Sequence, residues 1–154
     1  MDANFQLVSH WRVTGSIDEV AAILREPEGL VDWWPEVYLE VRFDETERVV
    51  HVHSRGVLPY TLRWQFREVE EHWPHGATLE AWGDLAGTGT WTLVQDGPEA
   101  VATYDWRVRA EKPWMHTLAP VLKPVFAWNH RWAMAKGEAG IRREILRRRA
   151  LTSP

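Results

Sequence analysis

The sequence predicts an α+β fold: a curved antiparallel sheet of about seven strands around one long C-terminal helix, with two short helices after the first strand. Three observations predict it. Apolar residues recur with period two across most of residues 37–108, in runs separated by turn-forming clusters, as half-buried antiparallel strands require. A helix-start signal, Ser16 followed by Glu19, stands between the first strand and those runs. From residue 113 the apolar spacing turns helical and stays so to the end, which supplies one element long enough to cover the apolar face of the sheet.

Each element has its own signal. Residues 5–14 place Phe5, Leu7, Trp11 and Val13 on one face of a first strand. Ser16 and Glu19 form a capping box, Val20, Ile23 and Leu24 follow at helical spacing, and Pro27 ends the helix. A second short helical piece spans 28–33 before Pro35. Val37, Leu39, Val41 and Phe43 then alternate with polar residues, and Val50 and Val52 do the same. Tyr60, Leu62, Trp64 and Phe66 repeat the pattern. Further strands run over 78–84, 91–94 and through Ala102, Tyr104, Trp106 and Val108. The glycine-rich stretch GDLAGTG at 83–89 lies between strands, lacks a GxGxxG pattern and has no helix start to hold a phosphate, so it is expected to be a hairpin turn.

After Lys112 a first helical segment is expected over 113–118, with Pro120 and Pro124 kinking or restarting the chain. The main helix is expected over 125–149, ~37 Å long at 1.5 Å per residue. Its inner stripe reads Phe126, Asn129, His130, Ala133, Gly137 and Gly140, with Leu122 on the same side, and grades from bulky through polar to small. Glycine inside a helix costs about 1 kcal/mol relative to alanine. Two of them point to close approach to the sheet at that end and a gap nearer Phe126.

The 154 residues fit a single domain over 1–154. Eighteen Lys and Arg against twenty-two Asp and Glu leave a net charge of −4, which argues against a general nucleic-acid binder. The arginines at 142, 143 and 147–149 suit the C-terminal end of a helix dipole. There is no cysteine, so disulfides, thiolate catalysis and thiolate metal sites are excluded. The first residues lack the pattern of a signal peptide, and no run approaches a membrane span; a cytoplasmic protein without integral membrane association is expected. The unusual number is eleven Trp, against three Tyr and four Phe. Tryptophan brings large apolar area and an N–H that needs a partner when buried.

SIDEVAAIL, DWWPEV, GDLAGTGTW, and KPWMHTLAPVLKPVFAWNH leading to MAKGEAGIRREI, in this order, resemble the helix-grip fold of the START / Bet v 1-like (SRPBCC) superfamily, and within it the polyketide cyclase/dehydrase and lipid-transport-like family. The resemblance covers nearly the whole chain. It implies a curved sheet gripping the C-terminal helix around a cavity that often holds an apolar ligand. The superfamily includes carriers, receptors, cyclases and hydrolases, so the fold does not name the activity.

The residues point to the same hollow. Trp64, Tyr104 and Trp106 are expected on the inward face, with Trp91 beside them, and Phe126, Asn129, His130 and Ala133 on the facing helix. Such rings either line a cavity for a small apolar or aromatic molecule, polyketide-, lipid- or terpenoid-like, or fill it as core. Asn129 and His130 either orient a polar group on the ligand or are satisfied by sheet side chains such as Tyr60 or Tyr104. A carrier or sensor needs the cavity alone. An enzyme would use His130 with cavity carboxylates, and Glu80 and Asp84 supply those only if their strand face, shared with Trp82, points inward; Leu79 and Ala81 are the better inward pair. His51 and His53 share a face, but with Val50 and Val52 in the core they are expected to be exposed; neither metal nor cofactor is expected. Trp128 and Trp132 adjoin each other on the far side of the helix. They pack on Trp114, on the proline segment or on the short helices, or else they form an exposed patch for self-association, a homodimer among the outcomes, as an interaction module would need.

Overall fold

The computed structural model describes residues 4–110 and 113–152. Lys112, the expected start of the helical region, and the side chain of Leu122 lie outside the described residues. Strand β1 (Asn4–Thr14) leads into helix α1 (Ile17–Leu24), a 3-10 turn (Pro27–Gly29) and helix α2 (Leu30–Trp33). A meander follows: β2 (Tyr38–Asp44), β3 (Val49–Arg55), β4 (Thr61–Glu71), β5 (Gly76–Gly83), β6 (Leu85–Asp96) and β7 (Glu99–Ala110). Helix α3 (Pro113–Thr152) ends the described chain. The seven strands form one antiparallel sheet in the order β1-β7-β6-β5-β4-β3-β2, so β1 closes on the last strand.

The α1 capping box forms as its residues require. The Ser16 side chain accepts from the Glu19 N–H at 3.1 Å, and Glu19 accepts from the Ser16 N–H at 3.0 Å. The period-two reading holds along most of the sheet, with Val50, Val52, Trp64, Ala81, Trp106 and Val108 buried together on the concave face. Glu80 and Trp82 face outward with Asp84. Glu80 lies 3.9 Å from Arg67, and Asp84 accepts from the Arg63 backbone N–H at 2.9 Å. His51 and His53 alternate with the buried valines and are half-buried rather than exposed.

Three local expectations are corrected. Leu39 is 40% exposed, because a bulge between Tyr38 and Glu40 shifts the phase of β2 and turns Tyr38 inward in its place. Only the start of GDLAGTG turns; Leu85 to Gly89 already pair with β7, since the tight Gly83–Asp84 link leaves the glycines free to continue the strand. The proline segment does not restart the helix: α3 is continuous, with Pro120 and Pro124 inside it. Both prolines are exposed and lie four residues apart, on one side of the helix, so the carbonyls that lose a partner face water.

The core is densest where α1, α2 and α3 meet the sheet. Val20, Ile23, Trp33 and Trp34 from the short helices pack with Trp11, Leu93, Ile141 and Ile145. A Cβ at Gly137 would come within 2.5–2.7 Å of Trp34 and Trp11, and one at Gly140 would collide with the Trp33 carbonyl. The close approach is therefore real, but at Gly140 the neighbour is α2 rather than the sheet. The indoles of Trp11 and Trp34 donate to the carbonyls of Met134 and Ala133 at 3.0 and 2.9 Å, which ties α3 to both elements at the same level. Beyond it, the terminal arginines pair with acids. Arg149 holds Glu19 of α1 at 2.7 Å, and Arg148 reaches Glu26 at 2.9 Å and Glu144 at 2.8 Å. The basic cluster is thus spent largely within the fold.

Candidate functional site

The concave face of the sheet holds two adjoining hollows. The smaller, about 150 Å³, lies between the sheet and α3. Trp64, Tyr104, Trp106, Phe126, Asn129, His130 and Ala133 line it, seven of the eight residues the sequence singles out. Trp91 does not. It lines the second hollow, about 430 Å³, which lies between the sheet and the α1–α2 segment. Trp91 is drawn there by Trp11 and Tyr104, whose ring centroids lie 5.0 and 4.4 Å from its own. Trp34, Tyr38, Trp64 and Tyr104 border both hollows and form the partition between them.

The wall is a chain of touching rings. Trp91, Tyr104, Trp106, Trp64 and Phe66 follow one another at centroid spacings of 4.4, 5.6, 5.7 and 5.6 Å. Such spacings are those of favourable aromatic pairs. The Trp64 indole donates to Ser54 Oγ at 2.9 Å, so its apolar face is left to the hollow. Burial raises the phenols of Tyr38 and Tyr104 above their ordinary range, and both hydroxyls stay protonated at neutral pH.

Asn129 and His130 are held by neither Tyr60 nor Tyr104. The Asn129 carbonyl oxygen accepts from the Val57 backbone N–H at 2.7 Å, and a Cβ on Gly56 would strike the same amide. Asn129 therefore ties the β3–β4 loop to α3. The His130 ring nitrogen Nε2 lies 3.3 Å from Ser9 Oγ on β1. Burial, helped by the nearby Arg131 charge, lowers His130 to about 4, and the ring is neutral at pH 7. A neutral imidazole with a hydroxyl partner can donate or accept one hydrogen bond, and no ion pair with another described residue fixes it.

The larger hollow contains groups that the sequence reading missed. Its deep wall is apolar, from Leu30, Val50, Phe66, Ala77 and Leu79. Its rim carries Arg25, Arg48, Arg67, Glu68 and Glu71. Glu68 and Glu71 would face opposite ways on a regular strand. A bulge between Glu68 and Glu70 shifts the phase of β4 and brings both to this rim. Desolvation against the apolar wall, then the neighbouring Glu71 carboxylate, raises Glu68 to about 7. At neutral pH Glu68 is therefore protonated about half the time, while Glu71 is held in its charged form. Continued past Phe66, the period-two pattern reaches Glu68 but not Glu71, since it is the break in period that brings Glu71 beside it.

Trp128, 48% exposed, is not covered by the other described residues to any great extent, whereas Trp132 is half-buried with Lys136 over its ring. Trp114 meets Tyr60 edge-on at 5.3 Å instead of packing on either.

A curved seven-stranded antiparallel sheet closed by a long C-terminal helix, with two short helices after the first strand, defines the helix-grip fold, and the chain has it. By sequence the chain matches no family model and no curated protein. By shape it is similar to a protein from Thermus thermophilus (TM-score 0.71, 15% identity, 97% of this chain and 100% of that one). It is similar also to the Zhui aromatase/cyclase from Streptomyces sp. R1128 (TM-score 0.69, 16% identity, 94% and 95%). A third is norcoclaurine synthase from Thalictrum flavum (TM-score 0.61, 14% identity, 97% and 98%). Polyketide aromatase/cyclases and a Bet v 1-like synthase thus stand among its structural neighbours, and at these identities the likeness is one of fold.

Proposed function

We propose that the protein binds a small apolar or aromatic molecule, polyketide-, lipid- or terpenoid-like, in the hollow of its sheet, and acts as a carrier or sensor. One observation carries this reading: two adjoining hollows of about 430 and 150 Å³ share a wall of aromatic rings. The larger falls within the range that small-molecule sites occupy, and the smaller alone is below it. Affinity comes from apolar burial, at ~25 cal/mol per Å² before ordering costs. His130 supplies a neutral hydrogen-bonding tip, with the hydroxyls of Tyr38 and Tyr104. Fold neighbours that carry the names of an aromatase/cyclase and a norcoclaurine synthase favour a ring-bearing ligand.

Carriage is preferred over catalysis because His130 faces Ser9, with no carboxylate paired to it among the described residues. One observation favours the competing reading, an enzyme of the polyketide cyclase/dehydrase type: the carboxylates Glu68 and Glu71 at the rim of the larger hollow. The test is titration with the neutral fluorophore N-phenyl-1-naphthylamine, read by energy transfer from tryptophan. Saturable binding at one site supports the reading, and absence of binding at any attainable concentration defeats it. A turnover lost in His130→Ala, with fold intact, would replace the carrier by the enzyme.

A further inference from the structure

We infer that the larger hollow selects an apolar molecule carrying one acidic group, with the body in the chamber and the acid at the rim between Arg25 and Arg48. The inference rests on the ligand-binding reading above and adds to it a chemical class and an orientation. Charge is confined to one end of the chamber. Arg25 closes α1, Arg48 stands in the β2–β3 hairpin and Glu68 and Glu71 lie near the end of β4; all four are exposed, while Val50 and Trp64 deeper in are buried, as is Ala77 across the ladder from Glu71. A ligand must therefore enter with its apolar part leading and leave any charge at this end.

The sign of that charge follows from how the rim groups are engaged. Arg67 is committed to the outer face, near Glu80 and over the Trp82 ring. Arg25 makes no ion pair among the described residues, and Arg48 only overlies Phe43 at 5.8 Å. Both act on the carboxylate pair from a distance: Arg25 on Glu68 and Glu71, Arg48 on Glu71. With Glu68 partly protonated beside an ionised Glu71, the two arginines face fewer than two negative charges. A carboxylate, sulfonate or phosphate head arriving there gains charge-assisted hydrogen bonds that neither arginine makes in the fold. An ammonium head would meet two cations and a partly protonated pair. Deeper in, the polar tips are the hydroxyls of Tyr38 and Tyr104, which add no charge.

Three probes of one chain length, decanoate, decan-1-ol and decylamine, separate head from body. The experiment is calorimetric titration of the whole chain at pH 7 and low salt, alongside the naphthylamine fluorophore. The expected result is decanoate tighter than decanol by about tenfold, with decylamine weakest. Arg25→Gln with Arg48→Gln should erase the decanoate advantage and leave decanol unchanged; both arginines are exposed, so the fold should tolerate the change. Ala77→Phe, which fills the chamber, should abolish decanoate binding, and Ala77→Leu offers a smaller filling if the phenylalanine variant does not fold. Equal affinity for decanoate and decanol, a preference for decylamine, or decanoate binding that survives a folded chamber-filling variant would overturn the inference while the apolar-ligand reading stands. Failure of all four probes would overturn both.

Discussion

His130 is a place where desolvation and a neighbouring cation act together against protonation. Its folded value of about 4 lies below the ordinary 6.5, so between those limits the unfolded chain binds more protons and stability falls as pH drops through that window. Nuclear magnetic resonance of the ring should show a midpoint near pH 4, and a midpoint at 6 or above would place the ring in water. Gly140 gives the second prediction at this scale. A Cβ there meets the Trp33 carbonyl, which is backbone and cannot rotate away, so Gly140→Ala should cost about 1–3 kcal/mol in urea unfolding despite alanine's better helix propensity. A stabilised variant would show that α2 yields freely. The helical stripe announces the glycine and the need for a close neighbour. It cannot name α2 as that neighbour, because pattern within one helix carries no information about which element arrives from elsewhere in the chain.

Elements read well where one physical rule acts alone. The capping box, the alternation of β3, β4 and β7 and the inward Leu79–Ala81 pair all follow from local chemistry or a strict period. The errors fall where a rule is broken once: the bulges in β2 and β4 change which side chains face in, and they place Tyr38 and Glu71 around hollows that a regular strand would deny them, Glu71 beside an in-phase Glu68. Seven of the eight candidate residues gather at one hollow because they sit on regular segments, and Trp91 departs because tertiary ring packing decides its place. The α1–α3 clamp gives a prediction at this scale. Hydrogen bonds from Arg149 hold Glu19 at about 2, and those from Arg147 and Arg148 hold Glu144 at about 2, both below the ordinary 4.5. Their contribution is full above about pH 4.5 and is lost as pH falls toward 2. Arg149→Ala should flatten part of that acid limb in thermal melts and cost up to about 1 kcal/mol at pH 7, the scale of a partly exposed pair. An unchanged acid limb would mean the pair is not formed in solution.

Across the whole molecule, packing is graded along α3. Toward its C-terminal end, Gly137, Gly140, Ile141 and Ile145 sit against Trp11, Trp33 and Trp34, with two indole hydrogen bonds and the arginine clamp at the same end. Toward its N-terminal end, Trp114, Leu118 and Val121 are exposed and two prolines remove backbone hydrogen bonds, while Phe126 is buried against Phe5, 5.4 Å between ring centroids. Opening free energies should follow that gradient. In hydrogen exchange read by mass spectrometry, peptides from 113–125 should exchange by local opening, well before those from 134–148, which should wait for global unfolding. The Asn129 tie to Val57 stands at the boundary, so the β3–β4 loop should open with the first group, and Asn129→Ala should speed exchange in the loop without moving the protection of 134–148. A ligand lodged against Tyr104 and His130 would bridge the two regions and slow exchange near Phe126. Uniform protection along α3, or loss of protection throughout in Asn129→Ala, would show instead that the helix docks as one cooperative unit and that the smaller hollow has no soft side through which to fill.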